Sequence, residues 1–467
     1  MVAAGSDFLQ LDATGVPRGG LAGWLTDALR AAVADGSLGV GATLPASRTL
    51  AADLGLSRGV VVEAYRRLAD EGLFVTGGAR GTVVATAPRP APADAGTERR
   101  AQAPLDLSPG LPDLSAFPRA AWLRAEREVL DGTTAADLGY PDPRGHPLLR
   151  REISAWLRRT RGVVAAPDEI VVVAGVAQAL AVLSRVLVRA DTPAVGVEDP
   201  GSKGAREQMA HWGMAPVAVP VDDSGLDVEA LRRAGVPTVL LTPAHQFPTG
   251  VVLAPARRRA LLDWAADGGL VVEDDYDAEF RYDRPPVPAL QCLAPELVAH
   301  AGSVSKTLAP GLRLGWLVVP ARLRDEVVHE RWMADLGAPA LPQLVFAHLL
   351  ASGALERHLR RVRVRVRARR DAMLDALREH LPEVTVHGIA AGLHLMVTFA
   401  NQVDDRALAD AAAADGVLVQ PLSDHRIAPG PPGLVIGYAA QSPDRIRRAV
   451  ALLARSARAL APGVNVR

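Results

Sequence analysis

Of the 52 basic residues in this chain only Lys203 and Lys306 are lysines. Where positive charge alone suffices the chain uses arginine, so a retained lysine points to chemistry that a guanidinium does not perform, above all Schiff-base formation with an aldehyde. Lys306 has the context for it. The segment GSVSKTLAPGLRLGW places Ser303 and Ser305 just before it and Arg313 seven residues after it, a donor set able to hold a phosphate dianion beside an imine. Upstream, LVVEDDYDAEFRY (Leu270 to Tyr282) ends an apolar run in acids, at the carboxyl end of a strand where open α/β sheets place ligands. An acid there can keep a heterocyclic nitrogen protonated. Lys203 has no such setting and reads as a survivor of compositional drift.

A second constellation lies near the N-terminus. The segment SRTLAADLGLSRGVVVEAYRRLADEG reads as two helices parted at Gly55, with Ser47 and Ser57 expected as N-caps. Before it, Leu21, Trp24, Leu25, Ala28, Leu29 and Ala32 recur at helical spacing. After it, LFVTGGARGTVVA reads as a two-stranded wing with Arg80 at its Gly-rich tip. This is helix-turn-helix punctuation, with Ser57, Arg58 and Gly59 at the helix end that meets base edges and phosphates.

The elements that must carry these groups follow from composition and periodicity. Residues 85–104, rich in Pro and Ala, read as a linker. It separates a winged helix-turn-helix domain, 1–84, from an α/β domain, 105–467. In the latter, helical patterns alternate with apolar runs such as Ile170–Ala174, Val239–Thr242 and Leu270–Asp274, which predicts a mixed, mostly parallel sheet with crossover helices. The 52 basic and 52 acidic residues balance, so any DNA contact must come from placed residues. Over residues 1–85 there are 7 Arg against 8 Asp plus Glu, and a three-helix unit mediating protein contacts is the competing reading. DNA binding is favoured because a few phosphate-facing groups decide affinity. Cys292 is the single cysteine, which excludes an internal disulfide or a cysteine metal cluster. No metal site and no membrane span are expected, and the cytoplasm is the default compartment.

LPASRTLAADLGLSRGVVVEAYRRLADEG followed by GARGTVV resembles the GntR family of winged helix-turn-helix regulators. Together with TPAHQFPTG (Thr242 to Gly250), EDDYDAEFRY and SVSKTLAPGLRLGW, the chain resembles the MocR subgroup, whose second domain is similar to fold type I aminotransferases. The resemblance covers nearly the whole chain. It implies that Arg48, Ser57, Arg58, Arg80 and Gly81 meet double-stranded DNA, and that Tyr65 and Leu68 lie in the core. It implies pyridoxal 5'-phosphate as cofactor. Lys306 would form the Schiff base, Asp274 pair with the pyridine nitrogen and Tyr276 bond the ring hydroxyl. Ser303, Ser305, Arg313 and the turn residues Val176, Ala177 and Gln178 would hold the phosphate. A homodimer is expected, with Tyr140 reaching the neighbouring subunit.

Two positions depart from the pattern. Phe247 stands where many aminotransferases carry an Asn that bonds the ring oxygen, and Ser202 where the regulators usually carry a Tyr over the ring, leaving Trp212 or His211 as substitutes. For an anionic effector the candidates are Ser202, Arg206 and Arg426, with Lys203 in the same loop as Arg206. The function these imply is a cofactor-dependent transcriptional regulator sensing pyridoxal phosphate or an amine or amino acid. The alternative is a competent aminotransferase carrying a DNA-binding module. The arginine-rich stretch His358 to Leu374 reads as a solvated, ion-paired helix in preference to a DNA-tracking surface.

Overall fold

The computed structural model describes residues 13, 16–34, 37–76, 81–85, 105–400 and 403–460. The chain forms two compact units, Met1–Ala101 and Gln102–Arg467.

The first unit contains α1 (Leu21–Ala34), β1 (Thr43–Leu44), α2 (Ser47–Asp53), α3 (Arg58–Asp70), β2 (Phe74–Thr76) and β3 (Thr82–Val84). The helical periodicity of α1 delivers Leu25, Leu29 and Val33 into one core with Leu50, Val61, Tyr65, Leu68 and Phe74. Both α2 and α3 stop at a glycine with positive φ, Gly55 (+66°) and Gly72 (+74°), which only glycine adopts freely. The chain then turns back so that Leu56 N–H bonds the Ala51 carbonyl and Leu73 N–H the Leu68 carbonyl, satisfying carbonyls left open at each helix end. Two expectations need correction. Ser47 is the first residue of α2, with Ala46 at the cap position, and Ser57 occupies the cap of α3 without a side-chain bond. The wing is three-stranded, in the order β1-β3-β2, because Thr43 and Leu44 in the preceding turn pair with Val83 and Thr82. Arg80 lies outside the described residues.

The second unit begins with β4 (Leu105–Asp106), α4 (Arg119–Gly132) and α5 (Pro147–Arg161). There follow β5 (Ile170–Val173), α6 (Val176–Arg189), β6 (Ala194–Asp199), α7 (Lys203–His211), β7 (Ala215–Asp222), β8 (Gly225–Leu226), α8 (Val228–Ala234), β9 (Thr238–Leu241), α9 (Pro255–Ala266), β10 (Leu270–Asp275), β11 (Val298–Ser303) and β12 (Gly315–Val318). These strands form one sheet, ordered β5-β12-β11-β10-β9-β6-β7-β8. From β11 through β10, β9 and β6 to β7 every pairing is parallel, whereas β12 runs antiparallel to β11 and to β5. Alternation explains the unbroken apolar runs. Along β5, Ile170 and Val172 face one core while Val171 and Val173 face another, so a strand covered on both sides is apolar throughout.

The chain ends in α10 (Arg324–Asp335), α11 (Ala340–Ala351), α12 (Ala354–His380), β13 (Val384–His387), β14 (His394–Phe399), α13 (Asp405–Ala414), β15 (Val417–Leu418), β16 (Gln420–Pro421), β17 (Gly433–Gly437) and α14 (Pro443–Leu460). A second, antiparallel sheet, β13-β14-β17-β16, packs on α12 and α14 through Val366, Met373, Leu395, Ile436 and Leu453. The arginine-rich stretch lies in α12, and part of it is structural: Arg365 and Arg369 pair with buried Asp113 at 2.8 and 3.0 Å, and Arg363 donates to the Glu279 carbonyl. Among the described residues no helix is long and apolar enough to cross a membrane.

Candidate functional site

At the carboxyl end of the main sheet, a cavity of about 280 Å³ is lined by Pro109, Gly110, Val176, Ala177, Ser202, Thr242, Phe247, Asp274, Tyr276, Ser303, Ser305, Lys306, Arg313, Leu393 and His394. Strand alternation decides which acid enters it. On β10, Glu273 and Asp275 share one face and Asp274 takes the other. Glu273 is saturated by the amides of Leu290 and Gln291 at 3.0 and 3.2 Å. Asp275 accepts from Arg161 at 2.6 Å and lies 3.1 Å from His300. Burial opposes ionisation of Asp275, yet Arg161 and His300 hold its carboxyl well below the usual range. Asp274 differs: its Oδ1 is buried without a hydrogen-bond partner. Burial first, and the Asp275 charge second, push its pKa up to about 7.

Lys306, in the turn after β11, donates from Nζ to the Gly110 carbonyl at 2.6 Å. Burial lowers its pKa against the opposing pull of Asp274 and Asp277, which favours the neutral, nucleophilic amine. Tyr276 O lies 3.0 Å from His245 Nδ1. Burial, followed by Asp277 and Asp274, keeps this phenol protonated far above its ordinary range.

The other wall joins the start of α6 to the Arg313 guanidinium. Gly175 (φ +84°) turns β5 into α6, whose first-turn amides, those of Val176 and Ala177 among them, have no intrahelical acceptor. A Cβ on Gly175 would stand 3.3 Å from Arg313 Nη1, so the missing side chain lets the guanidinium lie over the turn. Arg313 donates to the Ala174 carbonyl, and Ser303 Oγ accepts from the Ser305 amide at 3.3 Å.

Not every expected residue reaches this cavity. The Gln178 side chain turns away, accepting from Ala174 N at 2.7 Å and donating to Asp335 at 3.0 Å. Ser202 lines the cavity but caps α7, accepting from Ala205 N at 3.2 Å. Arg206 donates to the Asp424 carbonyl at 3.3 Å and borders a small neighbouring cavity with Glu198, Ser202, Thr242 and Asp274. Arg426 packs against Gly430 and does not line the main cavity. Trp212 and His211 end α7 away from it, Trp212 under the Arg185 guanidinium. Phe247 does enter, in an aromatic wall with His394 and His425 at ring distances of 4.9 and 5.1 Å. Sequence reasoning missed Gly110, Thr242, Leu393 and His394. A Pro-Gly turn signal marked Gly110, but nothing local tied it to Lys306, 196 residues away.

In the first unit, Arg48, Ser57, Arg58 and Gly81 are exposed. The module's near-neutral charge hides a division of labour. Arg30 pairs with Asp27 and Glu71, Arg66 with Glu63 and Asp70, and Arg67 with Glu63. Among the described residues, Arg48 and Arg58 have no ion-pair partner, so the unpaired guanidinium groups sit on the helix-turn-helix.

Comparison with known proteins gives the same division. Residues 22–84 match the family of bacterial regulatory proteins, gntR family, and residues 104–453 match aminotransferase class I and II. The HTH-type pyridoxine biosynthesis transcriptional regulator PdxR of Corynebacterium glutamicum is 35% identical over 433 residues, covering 91% of this chain and 93% of the relative. The probable rhizopine catabolism regulatory protein MocR of Rhizobium meliloti is 33% identical over 454 residues, covering 91% of each. Among solved structures, an archaeal alanine:glyoxylate aminotransferase superposes with a TM-score of 0.70 at 27% identity, over 75% of this chain and 90% of that one. A regulator's DNA-binding module joined to an aminotransferase class I and II domain, with full-length relatives of the same construction, makes this chain a member of the MocR-type GntR transcriptional regulators.

Proposed function

We propose that this regulator binds pyridoxal 5'-phosphate in the main cavity, and that the bound cofactor, alone or with an amine or amino acid, sets how a homodimer's two helix-turn-helix modules engage double-stranded DNA. The observation that carries this reading is the unpartnered Asp274 Oδ1 on the same cavity as the desolvated Lys306 amine. A buried carboxylate oxygen without a partner costs about 1–3 kcal/mol or more, a cost that a protonated ring nitrogen removes. The residues fit the group: a lysine for the aldehyde, an acid for the nitrogen, and the Gly175 turn with Arg313 for the phosphate.

When bound, the cofactor supplies an aldehyde that condenses with a lysine amine and a ring that withdraws electrons from it. The chain's part would be to present the desolvated Lys306 amine, to place the unpartnered Asp274 carboxyl against the ring nitrogen, to donate from Tyr276 and to neutralise the phosphate with Arg313. Phe247 offers no hydrogen bond at a position beside Tyr276. Among the residues lining the cavity the cationic side chains are Lys306 and Arg313, so an effector carboxylate meets no guanidinium other than the one assigned to phosphate. Sensing is therefore favoured over turnover, and the coupling to DNA requires an effector that distinguishes two arrangements of the dimer.

The test is an absorbance titration of the purified protein with pyridoxal phosphate, alongside binding to its own promoter fragment. A visible band that forms with wild type and not with Lys306→Ala, and a change in DNA affinity on loading, are expected. No band in wild type would overturn the cofactor reading. Sustained turnover of an amino donor with a keto acid would overturn sensing in favour of an aminotransferase.

A further inference from the structure

The fold absorbs only part of the arginine-rich stretch of α12. Arg363, Arg365 and Arg369 are tied to Glu279 and Asp113, whereas Arg357, Arg360, Arg361 and Arg367 are exposed. At helical spacing these four fall on one stripe, roughly 120° wide, that Val364 shares. The opposite side of the helix is core, with Leu355, Leu359, Val362, Val366 and Met373 buried. From Arg357 to Arg367 the exposed stripe therefore carries guanidinium groups and Val364, and no acid.

Solvation alone does not account for this face. A helix that only meets water gains from acids set three or four residues from its bases, and the second half of α12 has them: Arg378 pairs with Asp375 at 2.6 Å. In the first half, Arg357 and Arg361 stand four residues apart with like charge, and Arg361 Nε donates to the Arg357 carbonyl at 3.3 Å. Glu356, the acid four residues before Arg360, is paired with Arg159 of α5 at 3.4 Å. Among the described residues none of the four exposed arginines has an ion-pair partner. Arg357, Arg360 and Arg361 also lie near the N-terminal, positive end of the helix. Like charges at this spacing and cations at this end both weaken a helix, so the pattern opposes local stability. A polyanion lying on the face would offset both effects.

The chemistry of the face selects the occupant. It has no aromatic side chain, and its one large apolar residue is Val364, so it lacks the aromatic anchors of a protein interface. The apolar stripe that a membrane would take is already packed into the core. What remains is a row of guanidinium groups about 15 Å long, which matches the evenly spaced charge of a duplex backbone. We propose that the Arg357–Arg367 face of α12 is a second DNA contact, which holds phosphates beyond the base pairs read by the helix-turn-helix modules. The inference rests on the chain's being a DNA-binding regulator and is independent of the cofactor. Once the modules are seated, flanking duplex is present at high local concentration, so weak phosphate contacts add affinity without sequence preference.

The experiment is an anisotropy titration of the full-length protein at several salt concentrations with two duplexes. One is the promoter fragment trimmed to the base pairs whose substitution weakens binding, and the other is the same fragment extended on both sides by unrelated sequence. Wild type is expected to give the steeper slope of log affinity against log salt on the extended duplex. Arg360→Ala with Arg367→Ala removes two exposed side chains that bond nothing else among the described residues. It should flatten the extended-duplex slope by about 2 per chain if each arginine meets one phosphate, and leave the short-duplex slope unchanged. Arg360→Lys with Arg367→Lys keeps the charge and should keep most of the slope. Arg378→Ala, which removes a paired arginine from the same helix, should alter neither. Equal wild-type slopes on the two duplexes would overturn the proposal. So would an equal loss on both in the double alanine variant, which would mean that these arginines act through the fold or through the helix-turn-helix. Failure of wild type to bind either duplex would sink the DNA-binding reading itself, and this contact with it.

Discussion

Lys306 Nζ rests 2.6 Å from the carbonyl oxygen of Gly110, a residue just beyond the linker, so the amine proposed to react is held by the opposite wall of its own cavity. To attack an aldehyde it must leave that carbonyl. Gly110 sits at φ +80°, and a Cβ there would stand 3.0 Å from Nζ. Gly110→Ala therefore crowds the amine and strains the turn at once. We expect formation of the visible band with pyridoxal phosphate to slow about tenfold, with the melting temperature lowered modestly, as for about 1 kcal/mol of strain. Stopped-flow absorbance checks this, and an unchanged rate would show that the Gly110 contact does not gate the amine.

The pH dependence of cofactor-free stability follows from Asp274. Its folded pKa, about 7, exceeds the unfolded value of about 3.9, so the folded state binds the extra proton between them. The sign is unfavourable with rising pH: stability from this group is full below the lower value and lost as pH climbs through about 7. Glu198, also raised to about 7 by burial against the bonds from Thr242, adds to the same slope. Asp274→Asn should make the loss between pH 4 and 8 smaller by roughly 1–3 kcal/mol while weakening cofactor binding. Denaturant melts at the two pH values measure it, and identical slopes would refute the assignment.

Much of this was legible because the chemistry is clustered in short segments. Lys306, Ser303, Ser305 and Arg313 lie within one short segment, and the family resemblance named Asp274 among three consecutive acids, a choice that strand alternation parts from Glu273 and Asp275 without saying which face meets the cavity. What was not legible came from distance and from direction. Gly110 and His394 reach the cavity from chain far from β10 and β11, and no periodicity reports such a meeting. Gln178 had the right position at the start of α6, but its amide satisfies Ala174 N–H, a competition that spacing does not reveal. Ser47 failed as a cap because the helix starts one residue earlier than hydroxyl preference suggests. The third wing strand was hidden because two residues make no pattern.

The helix-turn-helix divides its arginines by pairing, and salt dependence should read that division. Arg58→Ala and Arg48→Ala, which remove unpaired guanidinium groups, should each reduce the slope of log affinity against log salt by about 1 if each meets one phosphate. Arg66→Ala should leave the slope unchanged, because Glu63 and Asp70 already neutralise that side chain at 2.8 and 2.6 Å. Fluorescence anisotropy with the promoter fragment at several salt concentrations makes the comparison. Equal slopes for all three variants would mean that the paired face, not the α2–α3 turn, meets DNA.

Gln178 and Arg313 flank the same turn, and their side chains point to different places. Gln178 bonds backbone and Asp335, so Gln178→Ala leaves Ala174 N–H unpaired and should lower stability by about 1 kcal/mol with cofactor affinity within about twofold of wild type. Arg313 lies over Gly175 with its guanidinium on the cavity. Removing a charge-assisted bond worth about 1.5–3 kcal/mol should weaken cofactor binding about 10–100-fold, and Arg313→Lys should recover only part, since an ammonium does not span the turn as a planar fork does. Equilibrium titration followed by the visible band separates the two. A Gln178→Ala loss as large as that of Arg313→Ala would mean that the amide turns into the cavity when phosphate is present, and that the bonds to Ala174 and Asp335 belong to the empty cradle alone.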